Sequence, residues 1–212
     1  MDPDRKIAAA ILTGGRATRL GGARKGSLAI GGRSIADRQL EVLRDIADPI
    51  FAVAAADGPI DEHLETVRDA LPGGGALVGI YTAITHSPHD RTLVVACDMP
   101  FLDRRFLAAM IAIDADLVIP RSARGYEPLC AIYSKRCSAN IRSRLDRGER
   151  QAAALPEGVK VVEIGPETLA AYDPDDLMFV NVNTPHDYER ANKLLERRLK
   201  ALRDRIMDEL GP

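Results

Sequence analysis

Residues Ile7 to Arg33 read IAAAILTGGRATRLGGARKGSLAIGGR, and the reading of this stretch decides the fold. Ile7 to Leu12 is a short, wholly apolar run of the length and type that suits a strand buried on both faces. It ends in Thr13-Gly14-Gly15. Two adjacent glycines at a strand end let the backbone turn sharply and bring its N–H groups close to a ligand. Arg16, Arg19, Arg24 and Lys25 follow, so backbone donors and cations converge as a polyphosphate requires. Two other glycine loops are excluded. A Walker A loop needs its Lys after the second Gly, whereas Lys25 precedes Gly26. A dinucleotide fingerprint needs G-x-G-x-x-G, which Gly14-Gly15-Arg16-Ala17-Thr18 does not supply. An ordinary glycine-rich turn with solvated arginines is the alternative on this stretch alone.

Outward from this loop the chain alternates strand and helix patterns. Ser34 can cap a helix running to about Asp45, and Pro49 to Ala56 reads as a second buried strand. Asp61 to Leu71 reads as a helix stopped by Pro72 and three glycines. Gly79 to Thr85 reads as a short helix and Thr92 to Cys97 as the clearest strand. Asp103 caps a helix to about Ile113. Strands are expected at 116–120, 127–133, 159–164 and 178–182, with a helix from Ser138 to Arg147 and a long one from Pro185 to Leu210. Such alternation implies an α/β fold, a three-layer α/β/α arrangement with a mostly parallel, Rossmann-like sheet. No internal repeat or linker divides residues 1–212, so a single domain is expected. Ligands in such sheets sit beyond the carboxyl ends of the strands. The glycine loop and Asp98 both occupy such ends.

Bulk properties narrow the function. Over 212 residues, 29 Lys and Arg face 31 Asp and Glu, which argues against general binding to nucleic acid or to a membrane surface. Aromatics make up only 4% and Trp is absent, so a base-stacking platform for single strands is not indicated. Cys97, Cys130 and Cys137 form no C-x-x-C pair and read as reduced thiols in a cytoplasmic chain. No apolar run approaches the roughly 20 residues of a membrane helix.

Asp98 follows a buried strand directly and precedes Pro100. That placement suits a ligand of a hard cation such as Mg2+, and equally a helix-capping carboxylate. Asn181 and Asn183, two apart on an expected strand, face one side and each offer donors and an acceptor. Thr184-Pro185 is a helix start signal by itself. His86 and His89, with Asp90, flank Pro88 and read as surface residues rather than a metal cluster. Leu195, Leu199, Leu202, Ile206 and Leu210 form a helical stripe suited to core packing or to a dimer seam.

Leu12-Thr13-Gly14-Gly15, Arg19-Leu20-Gly21-Gly22 and Lys25-Gly26 together resemble the L-A-G-G-x-x-x-R-M-G-G-x-D-K signature of the molybdenum cofactor guanylyltransferases. The resemblance continues through Gly75 to Ile80, Cys97 to Leu102, Glu127 to Tyr133, Arg147-Gly148-Glu149 and Asn181 to Pro185, and so spans Ile7 to about Leu194. Residues 195–212 would then be a C-terminal helical extension. The resemblance implies transfer of GMP from GTP to molybdopterin, with release of pyrophosphate. It implies Arg19, Lys25 and Asp98 as catalytic residues, with Mg2+ (or Mn2+) on Asp98. Leu12, Thr13, Gly14, Gly15, Lys25, Asp69 and Asp98 would hold GTP. Arg147, Gly148, Glu149, Asn181 and Asn183 would hold the pterin.

Small-molecule substrates, other cofactor-biosynthesis proteins and recipient molybdoenzymes are the partners implied, for a monomer or homodimer. The chain departs from the signature at Arg24, where the family has Asp, and at Ala76 and Val78. Val53 and Ala54 stand where the family has a polar residue near the base. A cytidylyltransferase of the same group, a related sugar-phosphate nucleotidyltransferase and a non-catalytic binding or escort protein are the alternatives.

Overall fold

The structure is a computed structural model that describes residues 6–13, 27–58, 60–61, 63–152 and 154–210. Its centre is β1, Ala8–Leu12, in which all five residues are buried. Three of them are alanines, and small side chains on a central strand let helices press close on both faces. β1 pairs in parallel with β4 (Ile50–Ala54) on one side and β6 (Arg91–Ala96) on the other. Strand alternation splits its side chains cleanly. Ala9 and Ile11 join the core beneath α1 (Ile35–Leu43) and α3 (Arg104–Ala112), with Leu40, Leu43, Phe106 and Met110. Ala8, Ala10 and Leu12 join the opposite core beneath α2 (Ala76–His86) and α4 (Cys137–Asp146), with Leu77, Ile80, Ile84 and Ile141. Helix, sheet and helix make three layers.

From β1 the sheet continues through β4 to β5 (Thr66–Arg68) at one edge. On the other side β6 is followed by β9 (Cys130–Ser134), β7 (Leu117–Ser122) and β10 (Val161–Ile164). β8 (Gly125–Tyr126) pairs with β7, completing eight strands among the described residues. β9 runs antiparallel to both β6 and β7, while β1, β4, β5 and β6 are mutually parallel, as are β7 and β10. The sheet is therefore mostly parallel, as the alternating pattern implies. β9 begins at the edge where the parallel strands end.

A third core cluster lies outside the layers. Ile30 and Ile35 pack with Phe101, Leu177, Val180, Val182 and Ala191, and Leu194 and Leu195 border them. It joins the small hairpin of β2 (Ala29–Ile30) and β3 (Arg33–Ser34) to the first half of α6, Pro185–Leu210. Gly31 sits at a φ of 57° directly against the Leu195 side chain, so a Cβ there would overlap it. Beyond this contact Leu199, Leu202, Ile206 and Met207 are exposed, and the expectation of core packing for the whole stripe does not hold. Among the described residues no helix is long and apolar enough to cross a membrane.

Three local expectations are corrected. The segment 61–71 is not a helix. The Asp61 carboxylate accepts from the His63 and Leu64 N–H groups and holds a turn, after which Thr66–Arg68 forms the edge strand. β-branched Thr66 and Val67 suit that strand, and the ladder runs on through Asp69 N–H to the Ala54 carbonyl at 2.9 Å. The segment 178–182 is not a strand either. The Asp173 carboxylate accepts from the Leu177 and Met178 N–H groups and curls the chain, so Met178 and Phe179 are buried in the core beneath α1 and α3, and Val180 and Val182 in the third cluster, without strand pairing. At 127–133 only Cys130 onward is strand, and Glu127 to Leu129 lead into it.

At the opposite edge from the strand ends, Asp116 ties three strands together. Its carboxylate accepts from Lys160 N–H at 2.9 Å and Ser134 Oγ at 3.1 Å. The Lys160 bond chiefly holds its carboxyl below the usual carboxylate range, partly opposed by desolvation and aided by Ser134, Arg136 and Lys160 charge. A depressed folded-state value stabilises above the unfolded value and is lost as pH falls. Asp116→Ala is expected to lower the thermal midpoint at pH 7 by roughly 2–4 °C per bond removed. The gap to wild type should narrow as thermal scans are repeated toward pH 3.

Candidate active site

The carboxyl edge of the sheet opens into a cavity of about 500 Å³. Its wall follows the strand order. Asp69 stands beyond β5, Val53 and Ala55 beyond β4, Leu12 at the end of β1, Cys97, Asp98 and Met99 beyond β6, and Glu127, Pro128 and Leu129 before β9. Neighbouring strands lie about 4.8 Å apart, so β5 to β9 spans roughly 19 Å. Gly75, Ala76 and Gly79 line it from the start of α2, and Asn181 and Asn183 from the segment before α6.

Asp98 lies beyond β6, the fourth of these five strands counted from β5. Cys97 N–H reaches the Leu12 carbonyl at 3.1 Å, continuing the β1–β6 pairing to the sheet margin. Asp98 itself is buried, and its carbonyl accepts from Val182 N–H at 2.9 Å. That bond pins the Asn181–Asn183 segment. Val182 is buried in the third cluster, while the asparagines on either side of it line the cavity. The same-side expectation for the two asparagines thus holds without a strand. Thr184 caps α6: Asp187 N–H donates to its Oγ1 at 3.1 Å, and its own N–H reaches the Asp187 carboxylate at 2.9 Å. Asp98 does not cap α3; Asp103 does, accepting from Arg105 and Phe106 N–H groups.

Gln39 is a supporting residue that the sequence reading missed. It is fully buried on α1, and its Nε2 donates to the carbonyls of Ala96 at 2.7 Å and Met99 at 3.0 Å, bracketing Asp98. A polar residue within an apolar helix stripe was the available signal.

The other expected site residues are distributed as follows. The Leu12 side chain lines the cavity. Thr13 does not; its N–H and Oγ1 both reach the Val53 carbonyl, at 2.8 and 3.0 Å, and clamp β1 to β4. Asp69 lines the β5 end, and burial pushes its carboxyl above the usual range. Arg147, Gly148 and Glu149 are not in the wall. The Glu149 carboxylate is taken by buried Arg144 at 2.7 Å and by Arg147 at 3.0 Å. Their turn supports the wall from behind, since Arg150 packs over Gly73 and Gly75 and its carbonyl accepts from Leu77 N–H. Gly14, Gly15, Arg16, Arg19, Arg24 and Lys25 lie outside the described residues.

Glu127 is the second residue that the reading left unassigned. It lines the cavity beside Pro128, and burial raises its carboxyl above the usual range against the opposing Ser122 bond and Arg124 charge. His86 lies 3.4 Å from Glu65, His89 is within bonding distance of the Asp48 carbonyl, and no cluster of three metal-binding side chains occurs among the described residues.

A mostly parallel sheet with a long cleft across its carboxyl edge and a buried carboxylate in the cleft wall is the architecture of a nucleotidyltransferase. The chain belongs to the MobA-like NTP transferase domain family, whose model matches residues 9–163. It is 32% identical over 192 residues to a molybdenum cofactor guanylyltransferase of Desulfosudis oleivorans, covering 88% of this chain and 94% of that one. A probable molybdenum cofactor guanylyltransferase of Pelotomaculum thermopropionicum is 33% identical over 193 residues, covering 88% and 92%. Among solved structures, molybdopterin-guanine dinucleotide biosynthesis protein A from Archaeoglobus fulgidus matches with a TM-score of 0.71 at 25% identity, over 90% of this chain and 99% of that chain.

Gln39→Leu keeps the volume but leaves the Ala96 and Met99 carbonyls without these donors. Urea unfolding should show a loss of about 2–4 kcal/mol. Nucleotidyl transfer, measured where the variant remains folded, should also fall, because the backbone on both sides of Asp98 is freed.

Proposed function

We propose that this chain transfers GMP from GTP to the phosphate of molybdopterin, forming the guanine dinucleotide cofactor and releasing pyrophosphate. The observation that carries this reading is the length of the cavity. It runs past five strand ends, with one carboxylate at each extremity and Asp98 between them. Two flat heterocycles joined through phosphates fit such a cleft, with the reacting phosphates at its centre. The names of the relatives supply the identity of the two substrates.

In this reading an oxygen of the pterin's terminal phosphate attacks the α-phosphorus of GTP. The new P–O bond forms as the bond to the β-phosphate breaks, and pyrophosphate leaves with the electron pair. Positioning and charge neutralisation carry the catalysis. The Gly14 and Gly15 amides, Arg19 and Lys25 would hold the triphosphate and the leaving pyrophosphate. Guanine would lie against the Gly14–Gly15 backbone, beside Leu12 and Thr13, with Asp69 at the nucleotide end. Asn181 and Asn183 would meet the pterin. Arg147, Gly148 and Glu149 would act on the pterin end through the glycine turn that they brace.

One buried carboxylate with amide oxygens nearby suits Mg2+, which keeps several waters and takes substrate phosphates as further ligands. Asp98 would hold it, or Mn2+, and the bound cation supplies neutralisation of phosphate charge. The reaction belongs in the cytoplasm. Residues 195–212 would be a C-terminal helical extension to a single catalytic domain.

The test is transfer from each of the four nucleoside triphosphates, labelled in the α-phosphate, to molybdopterin. GTP should serve best. Preference for CTP would assign the chain to the cytidylyltransferase branch, and no transfer from any nucleotide would make it a binding protein. Asp98→Asn should lower kcat by about 100-fold or more while the thermal midpoint stays within a few degrees. Wild-type turnover in that variant would remove Asp98 from the mechanism.

A further inference from the structure

Glu127 occupies the end of the cavity farthest from Asp69, just before antiparallel β9. Its side chain is only 13% exposed. Oε1 accepts from Ser122 Oγ at 2.7 Å and lies 3.9 Å from Arg124 Nη2. The same guanidinium nitrogen donates to the Phe179 carbonyl at 3.0 Å, two residues before Asn181. One arginine thus braces both Glu127 and the segment carrying the asparagines. Among the described residues Oε2 accepts no hydrogen bond, and it is not sealed off from the cavity.

A carboxylate is costly in this position. A glutamine would satisfy Ser122 equally well without desolvating a charge. What the carboxylate offers beyond that is acceptor capacity only: two oxygens and no donor. Such a group complements a ligand edge with two adjacent N–H donors. A 2-amino-4-oxo pteridine presents that pair, the ring N3–H and the 2-amino group. Guanine carries the same pair, but the nucleotide end lies roughly 19 Å away across four strand spacings.

We propose that Glu127 is the specificity-determining acceptor that reads the N3–H and 2-amino donors of the pterin substrate. This rests on the reaction proposed above, which places a pterin at this end. Asn181 and Asn183, on the facing segment, are left for the 4-oxo group and the remaining polar edge. Glu127 selects by charge and by acceptor pattern. A 2-oxo pteridine, a lumazine, turns a carbonyl toward the same carboxylate and is repelled.

The test uses 6-hydroxymethylpterin phosphate and its lumazine counterpart, titrated by their own fluorescence into GTP-loaded wild type and Glu127→Gln. Wild type should prefer the pterin by roughly tenfold or more, the range expected when a buried acceptor is left facing another acceptor. Glu127→Gln presents one donor and one acceptor, so it should bind the pterin about tenfold more weakly and prefer the lumazine. Its affinity for GTP and its thermal midpoint should match wild type. An unchanged pterin preference in Glu127→Gln overturns the assignment, as does a loss of GTP affinity in place of pterin affinity, or a wild type that binds neither pteridine. The two readings separate cleanly. GMP transfer by a wild type whose discrimination survives the substitution leaves the reaction standing without Glu127. Discrimination through Glu127 in a protein that transfers no nucleotide leaves the recognition standing without the reaction.

Discussion

The hydrogen bond from Cys97 N–H to the Leu12 carbonyl, 3.1 Å long, extends the β1–β6 ladder to the last residues before both strands leave the sheet. It forces the segment entering the glycine loop and the segment carrying Asp98 to emerge side by side, about 4.8 Å apart. Everything else at the site hangs on that margin. Gln39 holds the carbonyls on either side of Asp98, and Val182 docks on the Asp98 carbonyl and brings two asparagines with it. The alanines of β1 make the arrangement possible, because larger side chains would hold α2 away from the cavity. Gly79 shows how close that approach is: a Cβ there would lie 3.0 Å from the Leu12 side chain.

Three carboxylates stand along one edge of the sheet in different surroundings. Asp69 and Glu127 are held above the usual carboxylate range by burial, with only partial compensation at Glu127 from Ser122 and Arg124. Asp98 is buried between them. The three stand on different strands of the sheet, so on the proposed reading each would meet a different part of a long ligand.

Much of this was legible in the chain. The Ile7 to Leu12 run, the Thr92 to Cys97 run and the position of Asp98 depend on apolar length and abrupt termination, which local sequence carries well. Ser34 and Asp103 were readable as caps for the same reason. The failures share a physical cause. At 61–71 and 178–182 an aspartate side chain captures backbone N–H groups and overrides the apolar pattern, which periodicity does not register. Glu127 was quoted within a motif without a role, since its burial comes from β7, β8 and the 177–180 turn meeting in space. For Gln39 the polar residue in an apolar stripe was readable, but its role was not, because its partners are 57 and 60 residues away. The expected cradle of Gly14, Gly15, Arg19 and Lys25 lies outside the described residues.

The reversed direction of β9 has a consequence for how such a protein changes over time. Parallel strands deliver their loops to the cleft on leaving the sheet, but β9 delivers Glu127 to Leu129 on entering it. The part of the cleft lined from β5, β4, β1 and β6 is thus encoded before residue 100, and the part lined from before β9 and before α6 is encoded after residue 120. At the cleft the two are joined by the β6–β9 seam and by the Val182–Asp98 bond. Under the proposed reaction, substitutions that retune the acceptor would accumulate in the later half, and the fold could trade one acceptor for another and keep its chemistry.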